Sequence, residues 1–115
     1  MSLSRVEIIT GNSKLTGLKK MLSKCGVTGM TVVQVIGCGI QKGTMEHEVE
    51  ENTEMELLPK QMIILYVQSE IVEHLIEQIK KELYTGHIGD GKIVVSDITN
   101  AVRIRTGEEG LDALS

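Results

Sequence analysis

Glycines and cations are concentrated at residues 85–92 of this otherwise acidic chain. Gly86 and Lys92 fit the spacing G-x-x-x-x-G-K, in which backbone N–H groups can surround a phosphate and the lysine can reach it. Arg103 and Arg105 follow, and residues two apart in an extended segment point to the same face. Two neighbouring guanidinium groups repel each other unless they share an anion. We therefore predict an anion site whose ligand is phosphate.

The same stretch departs from a nucleoside-triphosphate P-loop in two respects. Ile93 stands where a P-loop requires Ser or Thr for magnesium. A P-loop also follows a strand and opens a helix, whereas this stretch follows a helical pattern and precedes a strand. A P-loop NTPase is therefore not expected. A tight turn into a strand is the alternative without a ligand, because Asp-Gly is a common hairpin signal.

The composition indicates one aliphatic, acidic domain. The chain has 115 residues, no Phe or Trp and 2 Tyr, so its core must be built from Ile, Val, Leu and Met. A formal net charge of −4 and the lack of stacking aromatics argue against nucleic acid as a partner. No apolar run approaches the roughly 18 residues of a membrane-spanning helix, so no direct membrane insertion is expected. Cys25 and Cys38 lack C-x-x-C spacing and no signal peptide precedes the first strand, which favours a cytoplasmic location.

Hydrophobic periodicity predicts the order βαβ, a long loop, and a second βαβ unit. Apolar, β-rich runs predict strands at residues 5–10, 30–36, 61–67 and 92–96. Apolar residues at helical spacing predict a first helix capped by Asn12 or Ser13 and a second helix capped by Ser69. Residues 99–102 are expected to form a short helical turn, and residues 108–115 a frayed tail.

Residues 37–58 break both patterns and predict a mobile loop. The first part of this segment is rich in glycine and slightly basic, while the later part is crowded with glutamates and therefore favours solvent. His47 lies between Glu46 and Glu48 and could be assigned to a metal cluster. Adjacent residues without a second, spaced ligand set are weak support for such a cluster.

Two βαβ units in succession predict an α+β, ferredoxin-like βαββαβ sandwich. In this fold a four-stranded antiparallel sheet carries both helices on one face, and the other face stays uncovered. The strands are apolar on both faces, so the uncovered face predicts self-association into a closed oligomer.

At five places in order along the chain, the sequence resembles the PII signal-transduction proteins of nitrogen regulation. The matching segments are 29–32, Gly39 with 41–43, 58–60, 85–93 apart from His87, and Arg-Ile-Arg-Thr-Gly-Glu at 103–108. The resemblance implies a homotrimer and a single PII-like domain over residues 1–115. It also implies a mobile effector loop at 37–58 and nucleotide-binding loops at 85–92 and 103–108.

The resemblance further implies a non-enzymatic sensor that binds ATP or ADP between neighbouring subunits. The backbone around Thr31 would hold the adenine, and the two nucleotide-binding loops would hold the phosphates from adjacent subunits. Gln41 would complete the coordination of a magnesium ion bridging ATP and 2-oxoglutarate, and Lys60 would pair with a 2-oxoglutarate carboxylate. The long loop would then dock on a regulated transporter or enzyme. The implied nucleotide-binding residues are Thr31, Gly39, Gly89, Asp90, Gly91, Lys92, Arg103 and Arg105.

Several positions differ from the usual pattern of that family. Ile40 stands in place of an arginine on the phosphates, and His87 in place of a lysine, which predicts weaker nucleotide binding. Thr53 stands where many members carry the tyrosine that is uridylylated, and Val49 where an arginine commonly plugs the ammonium channel. We therefore expect a divergent member with a rewritten output loop and no tyrosine uridylylation.

Two other functions are compatible with a small ferredoxin-like domain. One is an acylphosphatase-like enzyme that uses Arg103 or Lys92 on its phosphate, although the sequence shows no positioned asparagine beside a phosphate loop. The other is a metal-responsive trimer that uses His47, Cys38 and the nearby glutamates.

Overall fold

The computed structural model describes residues 2–39 and 56–114 of the chain. The strands and α-helices within these ranges are β1 (Leu3–Thr10), α1 (Leu15–Lys24), β2 (Thr31–Gly39), β3 (Glu56–Gln68), α2 (Val72–Leu83) and β4 (Lys92–Ile98). Short 3-10 turns lie at Asn12–Lys14, Ser69–Ile71 and Gly110–Ala113. This order confirms the predicted ferredoxin-like α+β fold. None of the helices in the described ranges is long and apolar enough to cross a membrane.

The sheet has the strand order β2-β3-β1-β4, and every neighbouring pair is antiparallel. Val6 of β1 pairs with Leu65 of β3, and Ile8 pairs with Ile63. Because side chains alternate across a strand, these residues all point to one face, and all four are fully buried. Their aliphatic and, apart from Leu65, β-branched character therefore specifies both the strands and the face that meets the helices.

Both helices cover that face of the sheet with aliphatic side chains. Leu18 and Leu22 of α1 are buried, and Leu75, Ile79 and Leu83 of α2 are buried at successive four-residue intervals. This spacing keeps an apolar stripe on one side of each helix. The core contains no aromatic side chain, as the composition predicts.

Shortening Leu75 to alanine is expected to lower the free energy of unfolding by about 2–5 kcal/mol, because its side chain is fully buried and leaves a cavity. Urea denaturation would measure the change. His74→Ala is the matched control, since His74 is the exposed neighbour on the same helix and should shift the midpoint little. Equal losses in the two variants would contradict the assignment of this helix face to the core.

The opposite face of the sheet is not covered by the helices. Arg5 and Glu7 of β1 point to it and form an ion pair with 2.8 Å between Nε and Oε2. Tyr66 and Val94, which pair with these two residues on the neighbouring strands, are 44% and 43% exposed. Apolar side chains of this size on one exposed face are consistent with the predicted self-association.

The predicted boundaries of the long loop require correction. Gly37 pairs with Leu58, Cys38 with Leu57 and Gly39 with Glu56, so both ends of the predicted 37–58 loop belong to β2 and β3. Backbone hydrogen bonds hold a two-stranded ribbon together, and glycines can make these bonds. Such an extension of the strands therefore leaves no hydrophobic pattern in the sequence from which it could be predicted. Ile40, Gln41, the glutamates between 46 and 54, His47, Val49 and Thr53 lie outside the described residues.

The predicted helix caps are also wrong. Ser69 does not cap α2; its hydroxyl forms a 2.7 Å hydrogen bond with the hydroxyl of Ser4 on β1. Neither Asn12 nor Ser13 caps α1 through its side chain. The reason is that a 3-10 turn precedes each α-helix, and such tighter turns satisfy backbone groups at a helix end by themselves.

The segment after β4 is ordered differently from the prediction. Val102, expected in a short helical turn, instead forms a β-bridge with Glu109. The expected frayed tail contains the 3-10 turn Gly110–Ala113, and the Thr28 hydroxyl donates to the carbonyl of Leu114 at 3.4 Å. A contact between residues so far apart in sequence leaves no local pattern from which it could be predicted.

Candidate functional site

The glycine-rich loop connects the end of α2 to the start of β4 and is organised by Asp90. Its Oδ2 accepts the backbone N–H groups of Thr85 and Gly86, at 2.8 and 3.0 Å. Its Oδ1 accepts the Thr85 hydroxyl. The Thr85 hydroxyl bond, followed by the Thr85 N–H bond, holds the pKa of Asp90 below its ordinary value. The carboxylate therefore stays ionised at neutral pH and closes the loop onto its own first residues.

Further hydrogen bonds tie this loop to itself and to the sheet. The Thr85 hydroxyl oxygen accepts the N–H of His87 at 3.2 Å. At the other end of the loop, the buried Thr10 hydroxyl donates to the carbonyl of Asp90 at 3.0 Å. The loop is thus anchored to the last residue of β1.

Glycine is required at two positions that present the backbone of this loop. Gly91 has φ +107°, and a Cβ atom there would collide with the carbonyl oxygen of Ile9. Gly89 has φ +102°, yet nothing lies within 4 Å of an added Cβ. The backbone at Gly89 is therefore open to close approach by a ligand, while that at Gly91 is packed against β1.

Lys92 begins β4 at the edge of the sheet. It pairs with Ile9 on β1, so its side chain points to the helix-free face, and it is exposed. Its ammonium group is therefore open to solvent at the end of the preceding loop. The structure brings together Gly89, Asp90, Gly91 and Lys92, as the sequence predicts.

The other predicted site residues lie towards the opposite edge of the sheet. Thr31 begins β2 and, like Lys60 of β3, points to the helix-free face. The methylene chain of Lys60 passes over Gly37, where an added Cβ would lie 3.3 Å from Lys60 Cδ. Gly39 is the last residue of β2 and directly precedes residues 40–55, which lie outside the described ranges. Because β2 and β4 are separated by two other strands, Thr31 and Lys92 are at least three strand spacings apart, roughly 14 Å.

The prediction that Arg103 and Arg105 share one face of an extended segment is wrong. Backbone bonds of 2.8 Å, from the N–H of Arg103 to the carbonyl of Glu108 and from the N–H of Gly107 to the carbonyl of Arg103, fold residues 103–108 into a tight turn. Gly107 permits this turn because it adopts a φ of +77°, which favours glycine. Arg105 is exposed on this turn.

Arg103 is held against the end of the chain. Its Nη1 lies 3.9 Å from Glu108 Oε1, and its Nη2 donates to the carbonyl of Ala113 at 3.5 Å. Ala113 also lines a cavity of about 620 Å³ that contains Thr31. Arg103 and Thr31 therefore belong to one region of the subunit, and the loop with Lys92 to another.

The sequence reasoning missed two contributions to these sites. It gave no role to Leu111–Leu114, which line the cavity beside Thr31. It also treated Asp90 as a ligand and did not connect it with Thr85 or Thr10. The five-residue separation of Thr85 and Asp90 was the available signal, because a hydroxyl residue and a carboxylate at the two ends of a glycine-rich turn can close it.

Within residues 2–39 and 56–114 no group of three His, Cys, Asp or Glu side chains could hold a metal ion. Cys38 is exposed on β2, and Cys25 lies near Met21, with 3.7 Å between the two sulfur atoms. His47, the centre of the metal-cluster alternative, lies outside the described part of the chain.

Together, the fold and the loop define a small ferredoxin-like protein with a hydrogen-bonded, glycine-rich loop at the edge of its sheet. A family model described as "Nitrogen regulatory protein P-II" matches residues 3–108, and the chain belongs to this family. This is a family of signalling regulators rather than enzymes, which confirms the predicted non-enzymatic role and leaves the acylphosphatase alternative without support.

Curated relatives and solved structures agree with this assignment. The chain is 41% identical over 112 residues to the nitrogen regulatory protein P-II of Bradyrhizobium diazoefficiens and 42% identical to that of Pasteurella multocida, covering 97% of this chain and 100% of each relative. It is similar to the structure of GlnK from B. subtilis, with a TM-score of 0.85, 39% identity and coverage of 99% and 100% of the two chains. It is also similar to PII from Arabidopsis thaliana bound to citrate, with a TM-score of 0.79, 31% identity and coverage of 97% and 92%.

Proposed function

We propose that this protein is a trimeric sensor that binds ATP or ADP between its subunits and regulates a target transporter or enzyme through residues 37–58. The observation that carries the proposal is the preformed loop at residues 85–92, with its open Gly89 backbone and exposed Lys92. GlnK from B. subtilis, 39% identical to this chain, has been solved as a complex with ATP. We infer a cytoplasmic location for such a sensor.

The phosphates would bind at the glycine-rich loop. The backbone at Gly89 allows close approach, and Lys92 supplies a positive charge at the start of β4. Phosphate binding in such a loop relies on oriented N–H groups together with a point charge. This arrangement would allow nucleotide binding without the magnesium-binding hydroxyl of a P-loop.

The separation of the two site regions supports a cleft between subunits. Lys92 lies at the β4 edge, whereas Thr31 lies at the β2 edge near Arg103 and the chain end. A closed ring that joins the β4 edge of one subunit to the β2 edge of the next brings these halves together. Ile104, between the two arginines, is 99% exposed and finds no cover within its own subunit. A neighbouring subunit would supply that cover.

Magnesium and 2-oxoglutarate belong to the same proposal. Gln41, which follows β2 closely in sequence, would offer an amide oxygen to magnesium alongside the ATP phosphates, since magnesium prefers oxygen ligands. Lys60 points to the helix-free face and would pair with a carboxylate. The Arabidopsis relative bound to citrate supports a carboxylate ligand of this class. When bound, magnesium would neutralise charge between the phosphates and the carboxylate.

Isothermal titration calorimetry with ATP and ADP, with and without magnesium and 2-oxoglutarate, tests the proposal. We expect saturable nucleotide binding that 2-oxoglutarate strengthens only when ATP and magnesium are present, because magnesium held by Gln41 would neutralise the charge of both ligands. Absence of nucleotide binding at millimolar concentration would refute the sensor function. Nucleotide binding without any effect of 2-oxoglutarate would refute only the roles of Gln41 and Lys60.

A further inference from the structure

We propose that Asp90 is a positioning residue that orders the phosphate-binding loop, and that its carboxylate does not contact the bound phosphate. The inference rests on the proposed function, because the phosphate in question belongs to the nucleotide proposed to bind at this loop. It assigns Asp90 a different role from its glycine and lysine neighbours, which present backbone and charge to the ligand.

The first support is the direction in which the carboxylate points. All three of its donors, the N–H groups of Thr85 and Gly86 and the Thr85 hydroxyl, belong to the first residues of the loop. Both carboxylate oxygens are therefore engaged inside the loop. The N–H groups of Thr85 and Gly86 are correspondingly occupied, so they are not donors for a phosphate.

The second support is that the backbone of the same residue is fixed to the sheet. The Asp90 carbonyl accepts the hydroxyl of Thr10, which is only 1% exposed. The next residue, Gly91, packs against the carbonyl of Ile9 so closely that no side chain fits. Asp90 is thus held on both sides, and the chain between it and Thr85 is closed into a loop that presents Gly89 outward.

Electrostatics also separates this role from that of a ligand. A carboxylate that faced a phosphate would repel it, whereas one that accepts three hydrogen bonds inside the loop has its charge stabilised. These bonds lower the pKa of Asp90, so they are present above the ordinary carboxyl pKa and are lost only as the pH falls through the lowered value. The charged or titratable groups around Asp90 include Lys14 before α1 and those that line the same cavity, namely Glu77, Lys80, Lys81, Tyr84 and Lys92.

Titration of ATP into variants of Asp90 distinguishes the two roles by the sign of the effect. Asp90→Ala is expected to weaken ATP binding about tenfold, because the loop must be ordered when the nucleotide binds. Asp90→Asn is expected to weaken it less, since one oxygen still accepts the loop N–H groups. Asp97→Asn is the matched control, because Asp97 is an exposed carboxylate farther along β4 and its loss changes the net charge equally. Tighter binding by Asp90→Asn than by wild type would overturn the proposal, because the carboxylate would then oppose the phosphate.

A second pair of variants tests the partner of Asp90. Thr85→Val removes the hydroxyl that joins Asp90 to the N–H of His87, and should weaken ATP binding severalfold. Thr85→Ser keeps a hydroxyl and should bind ATP as wild type does. If serine fails to restore the binding that valine loses, the hydroxyl is not the connection and the proposal is wrong.

A spectroscopic measurement on the ligand-free protein separates this inference from the proposed function. The amide N–H resonances of Thr85 and Gly86 are expected to lie downfield in wild type and to move upfield in Asp90→Ala, while Asp97→Asn leaves them in place. Unchanged resonances in Asp90→Ala would overturn the ordering role. If wild-type protein binds no ATP, the proposed function fails, and these resonances alone decide whether Asp90 orders the loop.

Discussion

Mixed trimers assembled from Lys92→Ala and Arg103→Ala subunits are expected to recover ATP binding that each variant loses alone. Each single substitution removes one charge-assisted contact to the phosphates, worth about 1.5–3 kcal/mol, or roughly 10- to 100-fold in affinity. If one subunit supplies Lys92 and its neighbour supplies Arg103, every mixed trimer contains an interface at which both residues are wild type. Calorimetry on co-expressed, doubly tagged trimers should therefore show one restored site per mixed trimer.

Three controls make this experiment decisive. Lys20→Ala changes an exposed lysine of α1, far along the chain from the loop, and should bind ATP as wild type does. Trimers built from either variant alone should stay weak at every site. Mixed trimers of Lys92→Ala with the double variant Lys92→Ala/Arg103→Ala should also recover nothing, because none of their subunits carries Lys92. Failure of the Lys92 and Arg103 mixture to recover binding would place both residues in one subunit's site and contradict the shared cleft.

Replacing Gly91 by alanine is expected to lower the free energy of unfolding by about 3 kcal/mol and to abolish measurable ATP binding. Its φ of +107° is strained for any side chain, at about 1–3 kcal/mol, and the added Cβ would also collide with the carbonyl of Ile9. Relief of that collision must move the backbone of β1 or of the loop, because both colliding groups are main chain. The loop would then lose its contact with Thr10 as well.

Gly89→Ala is the matched control for this prediction. Gly89 has a similar φ of +102°, but an added Cβ there meets nothing within 4 Å, so only the backbone strain remains, about 1 kcal/mol. Urea denaturation without nucleotide compares the stabilities, and calorimetry with ATP compares the affinities. If both variants lose the same stability, the packing of Gly91 on β1 is not what fixes this end of the loop.

The core could be read from the sequence because its signal is local. The two-residue period of strands is followed by Val6, Ile8, Ile63 and Leu65, and Leu75 belongs to an apolar helical stripe. The local pattern therefore predicts which face of each strand or helix is buried. The order of these elements then left few topologies in which both helices cover one face of the sheet. The glycine-rich loop was predicted for the same reason, because its residue types and their spacing lie within a single stretch.

The exact ends of the strands and the course of the segment after β4 could not be predicted from local sequence patterns. Gly37 and Gly39 extend β2 through backbone pairing with β3, and pairing of that kind depends on a partner far along the chain. Arg103 was expected on an extended segment, but its position is set by Glu108 and by Ala113 at the end of the chain. Such contacts form only once distant segments have been brought together.

The sequence by itself therefore determined the aliphatic core, the βαββαβ order and the presence of a glycine-rich loop at residues 85–92. Only the tertiary structure decided how that loop is held, because Asp90 is hydrogen-bonded to Thr85 at the other end of the loop and to Thr10 on a different strand. It also decided that Lys92 and Thr31 lie at opposite edges of the sheet. Residue types reveal which chemistry is available, but hydrogen bonds between segments and the order of strands fix where that chemistry is presented.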